Sequence, residues 1–210
     1  MLLELHASLI IESISSLGVV FFINSLTCLC SASIDFKAFH SQESKEKTIL
    51  LHLEEILHER IVDQKEAIKL LAEAIRIRRA GIKQERKPMG SFLFLGPTGV
   101  GKTETAKAIT EAYFGSEGAM VRFDMSEFQN KKDVYRFIGH FETSFPGELI
   151  EAVKQNPSGV ILLDEFEKAH PDILNLFLQV LDEGFLTDVF GQKVYFTNHI
   201  VIATSNAGSN

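Results

Sequence analysis

The chain has 210 residues, 45% hydrophobic and 23% charged, enough for one good-sized domain with a real core, or one domain plus an extension. Its formal net charge of -7 argues against general nucleic-acid binding, which needs a basic face to neutralise phosphates. Its two cysteines, Cys28 and Cys30, are too closely spaced for an ordinary unstrained disulfide and do not make a C-x-x-C metal or redox pair.

Residues 1–40 are rich in Ser, Leu, Ile and Phe and poor in charge. Three readings compete for Ile14–Ile34 (ISSLGVVFFINSLTCLCSASI). A transmembrane helix needs about 20 predominantly apolar residues, and this stretch is interrupted by Asn24 and several Ser and Thr. A signal peptide needs a positive start, whereas the chain opens with Glu4 and Glu12 and no Lys or Arg. The third reading is a loosely packed helix, or a segment without designed structure. Residues 41–48 (SQESKEKT) read as a polar linker, so 1–44 form an ill-defined extension and 45–210 the folded domain.

From Ile49 the pattern is orderly. Ile49, Leu50, Leu53, Ile56 and Leu57 recur at helical spacing, which predicts an amphipathic helix over 48–58. Asp63 is placed to N-cap a second helix, with Glu66 as its capping-box partner and Gly81 as its end. The basic run of Arg76, Arg78, Arg79, Lys83, Arg86 and Lys87 is either a solvated helix end or a face turned to a partner or nucleotide. Pro88 and Gly90 break a loop before a buried strand, SFLFLG. A helix follows from Gly101 to about Phe114, then an alternating strand, AMVRFD, ending at Asp124. Ser126 is expected to cap a helix towards Ile138, and Gly147–Gln155 reads as another. Val160–Leu163 is a continuous apolar run, as in a strand buried on both faces. Pro171 suits the first turn of a helix ending near Leu181. Leu186–Phe196 reads as a hairpin turning near Phe190-Gly191, and His199–Thr204 as a last buried strand. Strands alternating with helices predict an α/β fold with a mostly parallel sheet.

Gly96, Gly101, Lys102 and Thr103 match the phosphate-loop pattern G-x-x-x-x-G-K-[ST], between a strand and a helix as that motif requires. Over Gly96, Pro97, Thr98, Gly99, Val100 and Gly101, glycines let backbone N–H groups turn towards the phosphates of ATP, and the helix from Gly101, with Glu104 as a further candidate binding residue, adds its positive end. Lys102 is expected to reach the β- and γ-phosphates and Thr103 to give its hydroxyl to Mg2+. GVILLDEFE brings Asp164 and Glu165 to the carboxyl end of a strand, where α/β ligands bind. Asp164 is the candidate magnesium-linked acid and Glu165 the candidate base for the attacking water. Asn206, in ATSN, is a candidate polar sensor of the γ-phosphate or its water. No zinc site or nucleophilic triad is apparent, and His40, His52, His58, His140, His170 and His199 are scattered.

Four blocks go further than a phosphate loop: GSFLFLGPTGVGKTETAKAI, MVRFDMSEF, VILLDEFEKAHPDILNLFLQVLDEGFLTD and IVIATSNAGS. Together they resemble the second ATPase module of the ClpA/ClpB/ClpC family of AAA+ unfoldases and disaggregases, over roughly residues 45–210. The resemblance implies a P-loop NTPase (AAA+) fold with sheet order 5-1-4-3-2. It also implies a hexameric ring of AAA+ subunits acting on protein substrates with ATP and Mg2+. LHERIVDQ resembles the family element lining the adenine pocket, which places Ile61 and Val62 against the base; an ordinary core role is the alternative. Asp63 stands where the family has Gly.

Three departures follow from the same comparison. The family's substrate-gripping loop is replaced by HFETSFPGE after Ile138-Gly139, without its tyrosine. Either Phe141 or Phe145 substitutes as an apolar grip, or the grip is lost. The family's arginine finger, fifth strand and helical lid are expected beyond Asn210. With no fifth strand, Ser91–Leu95 is expected to be a bare apolar edge, an aggregation hazard. ATP-driven work implies a cytoplasmic setting and argues against a membrane role on chemical grounds. The leading expectation is an ATP-binding Clp-type module with little autonomous hydrolysis. The alternatives are a non-catalytic fragment that joins a full-length relative, and a gene remnant.

Overall fold

A computed structural model of the protein describes residues 20–23, 40–61, 65–79, 87–140, 142 and 145–206. The elements in chain order are β1 (Val20–Ile23), α1 (His40–Arg60), α2 (Lys65–Arg79), β2 (Gly90–Leu95), α3 (Lys102–Phe114), β3 (Met120–Asp124), α4 (Lys131–Ile138), α5 (Glu148–Gln155), β4 (Gly159–Asp164), α6 (Pro171–Glu183), β5 (Phe185–Thr187), β6 (Lys193–Tyr195) and β7 (His199–Ser205).

The main sheet runs β1-β2-β7-β4-β3, and β5-β6 form a separate hairpin. β2, β7, β4 and β3 are parallel, with Leu163 beside Ala203 and Asp124 beside Asp164. The expected parallel order holds for these four strands. The period of two along the central strands feeds two cores. Ile161, Leu163, Val201 and Ala203 face one layer, built with Phe123, Phe137, Leu149 and Phe177 of β3, α4, α5 and α6. Val160, Leu162, Ile200 and Ile202 face the other, built with Leu53, Leu57, Leu71, Ile75 and Ile109 of α1, α2 and α3. β4 therefore reads as an unbroken apolar run because both its faces are covered. At its start the strand crowds the preceding connection. A Cβ on Gly159 would lie 2.1 Å from the Ala119 carbonyl oxygen, so only glycine lets the two backbones come this close.

Three expectations are corrected. The edge of β2 is not bare: Val20–Ile23 pairs antiparallel along it, with Phe21 opposite Phe94 and Val20 opposite Leu95. An edge strand with unpaired N–H and C=O groups accepts any segment that can extend beside it, and here the segment comes from the same chain. The stretch 41–48, expected as a polar linker, is helical, since α1 begins at His40. Polar residues with good helix propensity extend a helix whose apolar face is already anchored further along. Ser126 does not open the next helix. It lies in a 3-10 turn, Met125–Glu127, and α4 starts four residues later behind Asn130, which shares a capping box with Asp133.

Arg76 settles against its own fold. Its Nε donates to the Leu50 carbonyl at 2.6 Å, and its guanidinium also reaches the Leu51 carbonyl and Glu54. Lys87 pairs with Asp182 at 3.5 Å. Lys83 and Arg86 lie outside the described residues, as do Asp63, Gly81, Cys28 and Cys30. No helix among the described residues is long and apolar enough to cross a membrane.

Candidate phosphate-binding site

β2 delivers the chain into a loop at the carboxyl edge of the sheet. Gly99 and Gly101 have φ of 87° and 92°, and nothing lies within 4 Å of where their Cβ atoms would be. Room is therefore no constraint; the left-handed backbone is what calls for glycine. Gly101 caps α3 with no side chain bonded to the first turn. The helical ladder begins with the Thr105 N–H donating to the Gly101 carbonyl at 2.8 Å, which leaves the preceding amides at a positive helix end.

Lys102 folds over the loop. Its Nζ donates to the Gly96 carbonyl, to the Pro97 carbonyl at 3.0 Å and to Asn206 Oδ1 at 2.8 Å. Partial burial holds the ammonium below the usual lysine range, opposed by the Asp164, Glu167 and Glu165 carboxylates.

The acidic pair closes the opposite wall. Asp164 ends β4, beside β7. The hydroxyl of Thr204 donates to Asp164 Oδ1 and accepts from the Glu165 N–H at 3.1 Å, so one buried side chain ties both acids to the sheet. Arg122 Nη2, from β3, donates to the other Asp164 oxygen at 2.6 Å. Glu165 has φ of 54°, the left-handed region where a non-glycine residue carries strain. Its Oε2 pairs with Lys168 at 2.6 Å, and its Oε1 accepts from Asn206 Nδ2 at 3.3 Å. The Asn206 N–H in turn donates to Glu167 at 3.0 Å. Asp124 accepts from the Ser126 hydroxyl at 2.6 Å and its N–H at 2.9 Å. The hydroxyl bond foremost holds this carboxyl below its usual range, against the opposing effect of burial.

These groups line one cleft of about 430 Å³, with Thr98, Gly99, Gly101, Lys102 and Thr103 on one side and Asp164, Glu165 and Asn206 on the other. Glu104 also lines it, while its carboxylate is held by Arg60 at 2.5 Å. Ile61 packs in the core of α1, α2 and α3, and Val62 lies outside the described residues. Phe145 is 37% exposed and bridges to His140, whereas Phe141 lies outside the described residues.

Sequence reasoning missed Thr204, Arg122, Lys168 and Glu167. The i, i+3 spacing of Glu165 and Lys168 was a usable local signal. Thr204 and Arg122 had none, because their partner Asp164 is reached only across neighbouring strands.

A glycine loop after one strand, an acidic pair ending the next strand but one, and an asparagine ending the strand between them define a P-loop nucleoside-triphosphatase module. The family described as "AAA domain (Cdc48 subfamily)" matches residues 87–210, more than half of the chain. The chain belongs to this family. It is 54% identical over 171 residues to the chaperone protein ClpB of Aquifex aeolicus, covering 80% of this chain and 17% of that protein. It is 55% identical over 169 residues to the chaperone protein ClpB of Vibrio vulnificus, covering 79% of this chain and 20% of that one. Against the ATP-dependent Clp protease ATP-binding subunit ClpC of Staphylococcus aureus, identity is 52% over 164 residues, covering 76% and 20%. The chain thus spans about a fifth of the length of these relatives.

Proposed function

We propose that the cleft binds ATP with Mg2+ and, within a complete ring of such subunits, hydrolyses its γ-phosphate. The observation that supports this best is the convergence of Lys102, Asn206, Glu165 and Asp164, from two strand ends and a helix start, through contacts of 2.8 and 3.3 Å. The donor set fits the metal: the Thr103 hydroxyl and the Asp164 carboxylate are hard oxygen ligands on one cleft. Magnesium, when bound, neutralises charge on the phosphate oxygens. The chain's own residues do the remainder. Gly96, Pro97, Thr98, Gly99, Val100 and Gly101 shape the amide cradle, and Lys102 carries the positive charge to the phosphates. Asn206 holds the attacking water or the γ-phosphate. Glu165 takes the proton of that water as its oxygen bonds to phosphorus and the bond to ADP breaks.

A fluorescent ATP analogue tests the reading. Lys102→Ala is expected to weaken its binding by at least about tenfold, as loss of a charged hydrogen bond implies. Glu165→Gln is expected to bind it normally while losing about 10²–10⁴ in turnover. Normal binding by the lysine variant, or normal turnover by the glutamine variant, is the result against it.

The relatives' names, a chaperone and a protease's ATP-binding subunit, support a protein substrate; a ring of such subunits in the cytoplasm belongs to the same proposal. Unfolding or disaggregation is then the output, with Phe145 as an apolar contact for the substrate.

A further inference from the structure

Asp164 presents two oxygens, and they are held differently. Oδ1 takes the hydroxyl of Thr204, which is buried at 1% exposure inside the sheet. Oδ2 takes the guanidinium of Arg122 at 2.6 Å, with the arginine side chain 52% exposed on the cleft wall and the aspartate side chain only 13%. Thr204 alone is rigid enough to orient the carboxylate, because β7 is buried along its whole length. Arg122 instead covers the oxygen on the cleft side, and it lines the cleft itself together with Asp124 and Asp164. The register puts Arg122 beside Leu162 and Asp124 beside Asp164, so the guanidinium reaches forward along the sheet edge to make this contact.

We propose that Arg122 is a built-in competitor for the magnesium-linked oxygen of Asp164, and that it sets the Mg2+ concentration at which the cleft takes nucleotide. The inference rests on the reading of Asp164 as the magnesium-linked acid. A cation approaching Oδ2 meets a guanidinium already there, and the two charges repel at contact distance. The arginine must swing away for the metal to be held, and its long, half-exposed stem allows that. A purely structural clamp would act in the opposite direction: losing it would loosen Asp164 and raise the metal requirement.

The test titrates Mg2+ against the full chain and a fluorescent, non-hydrolysable ATP analogue, and reads the Mg2+ midpoint for analogue binding. Arg122→Gln is expected to lower that midpoint by about fivefold, the scale of a half-exposed ion pair. Arg122→Lys keeps the charge and is expected to stay within about twofold of the unsubstituted chain. If Arg122→Gln does not unfold cooperatively, Arg122→Met takes its place with the same expected shift. An unchanged or raised midpoint in the neutral variants overturns the proposal. If the unsubstituted chain binds the analogue with no dependence on Mg2+, the role of Asp164 itself fails, and that failure is distinct from an unmoved Arg122 variant.

Discussion

At the scale of single residues, Thr204 organises the acidic wall. Its hydroxyl is shared between Asp164 Oδ1 and the Glu165 N–H, and it sits at 1% exposure. Thr204→Val keeps the shape and removes both bonds, leaving the Glu165 amide without this acceptor. The expected cost is about 1–3 kcal/mol of stability, read from urea unfolding. Turnover is expected to fall by about tenfold or more while nucleotide affinity changes little, since the phosphate loop is untouched. Equal loss of affinity and turnover would show that Thr204 supports the whole cleft and not its acids. The Glu165 backbone at φ 54° belongs to the same account, because strain of that kind persists only where the surroundings hold it.

At the scale of elements, β7 carries a pH response at its first residue. His199 is buried at 2% exposure, with Nε2 2.7 Å from the Asn156 carbonyl oxygen. Burial holds the imidazole below the usual histidine range, against the raising effect of that carbonyl. In the unfolded chain the ring takes its proton near pH 6.5, whereas in the fold it does so only at lower pH. Stability present above about pH 6.5 is therefore lost as pH falls through that range towards the folded value. The midpoint of chemical unfolding is expected to drop between about pH 7 and pH 5. The drop should be smaller in His199→Gln; identical drops in both chains would remove His199 as its source. The same element shows what was legible locally. The apolar run at 199–204 announced a buried strand. Ser126, by contrast, was a good cap by residue type and lost that position to Asn130, because Asp124 had already engaged its N–H and hydroxyl.

At the scale of the whole molecule, β1 closes an edge that would otherwise lie open along β2. A chain lacking residues 1–24 is expected to unfold at lower temperature and to scatter more light on concentration, because an apolar strand edge pairs with other molecules. A shortened chain that stays monodisperse with an unchanged midpoint would show that β1 contributes nothing there. Arg60 ties the molecule together at a second point, joining the end of α1 to Glu104 and Glu111 of α3 and to Glu117 beyond it. The bonds to Glu117 foremost, and to Glu104, raise the pKa of the guanidinium above its ordinary range.

The placement of residues 96–103 between a strand and a helix, the acidic pair at a strand end, the parallel order of four strands and most helix limits were legible in the sequence by itself. Each depends on short-range grammar: glycines where φ is positive, a lysine next to the last of them, apolar runs that end in carboxylates. Only the tertiary structure decided that Thr204 and Arg122 flank Asp164, that Arg60 holds Glu104, and that residues 20–23 complete the sheet edge. Each of those pairings joins residues 40 or more positions apart, and no periodicity or motif records such distances. They follow from strand order and register, which bring side chains together across the sheet only once the chain has folded.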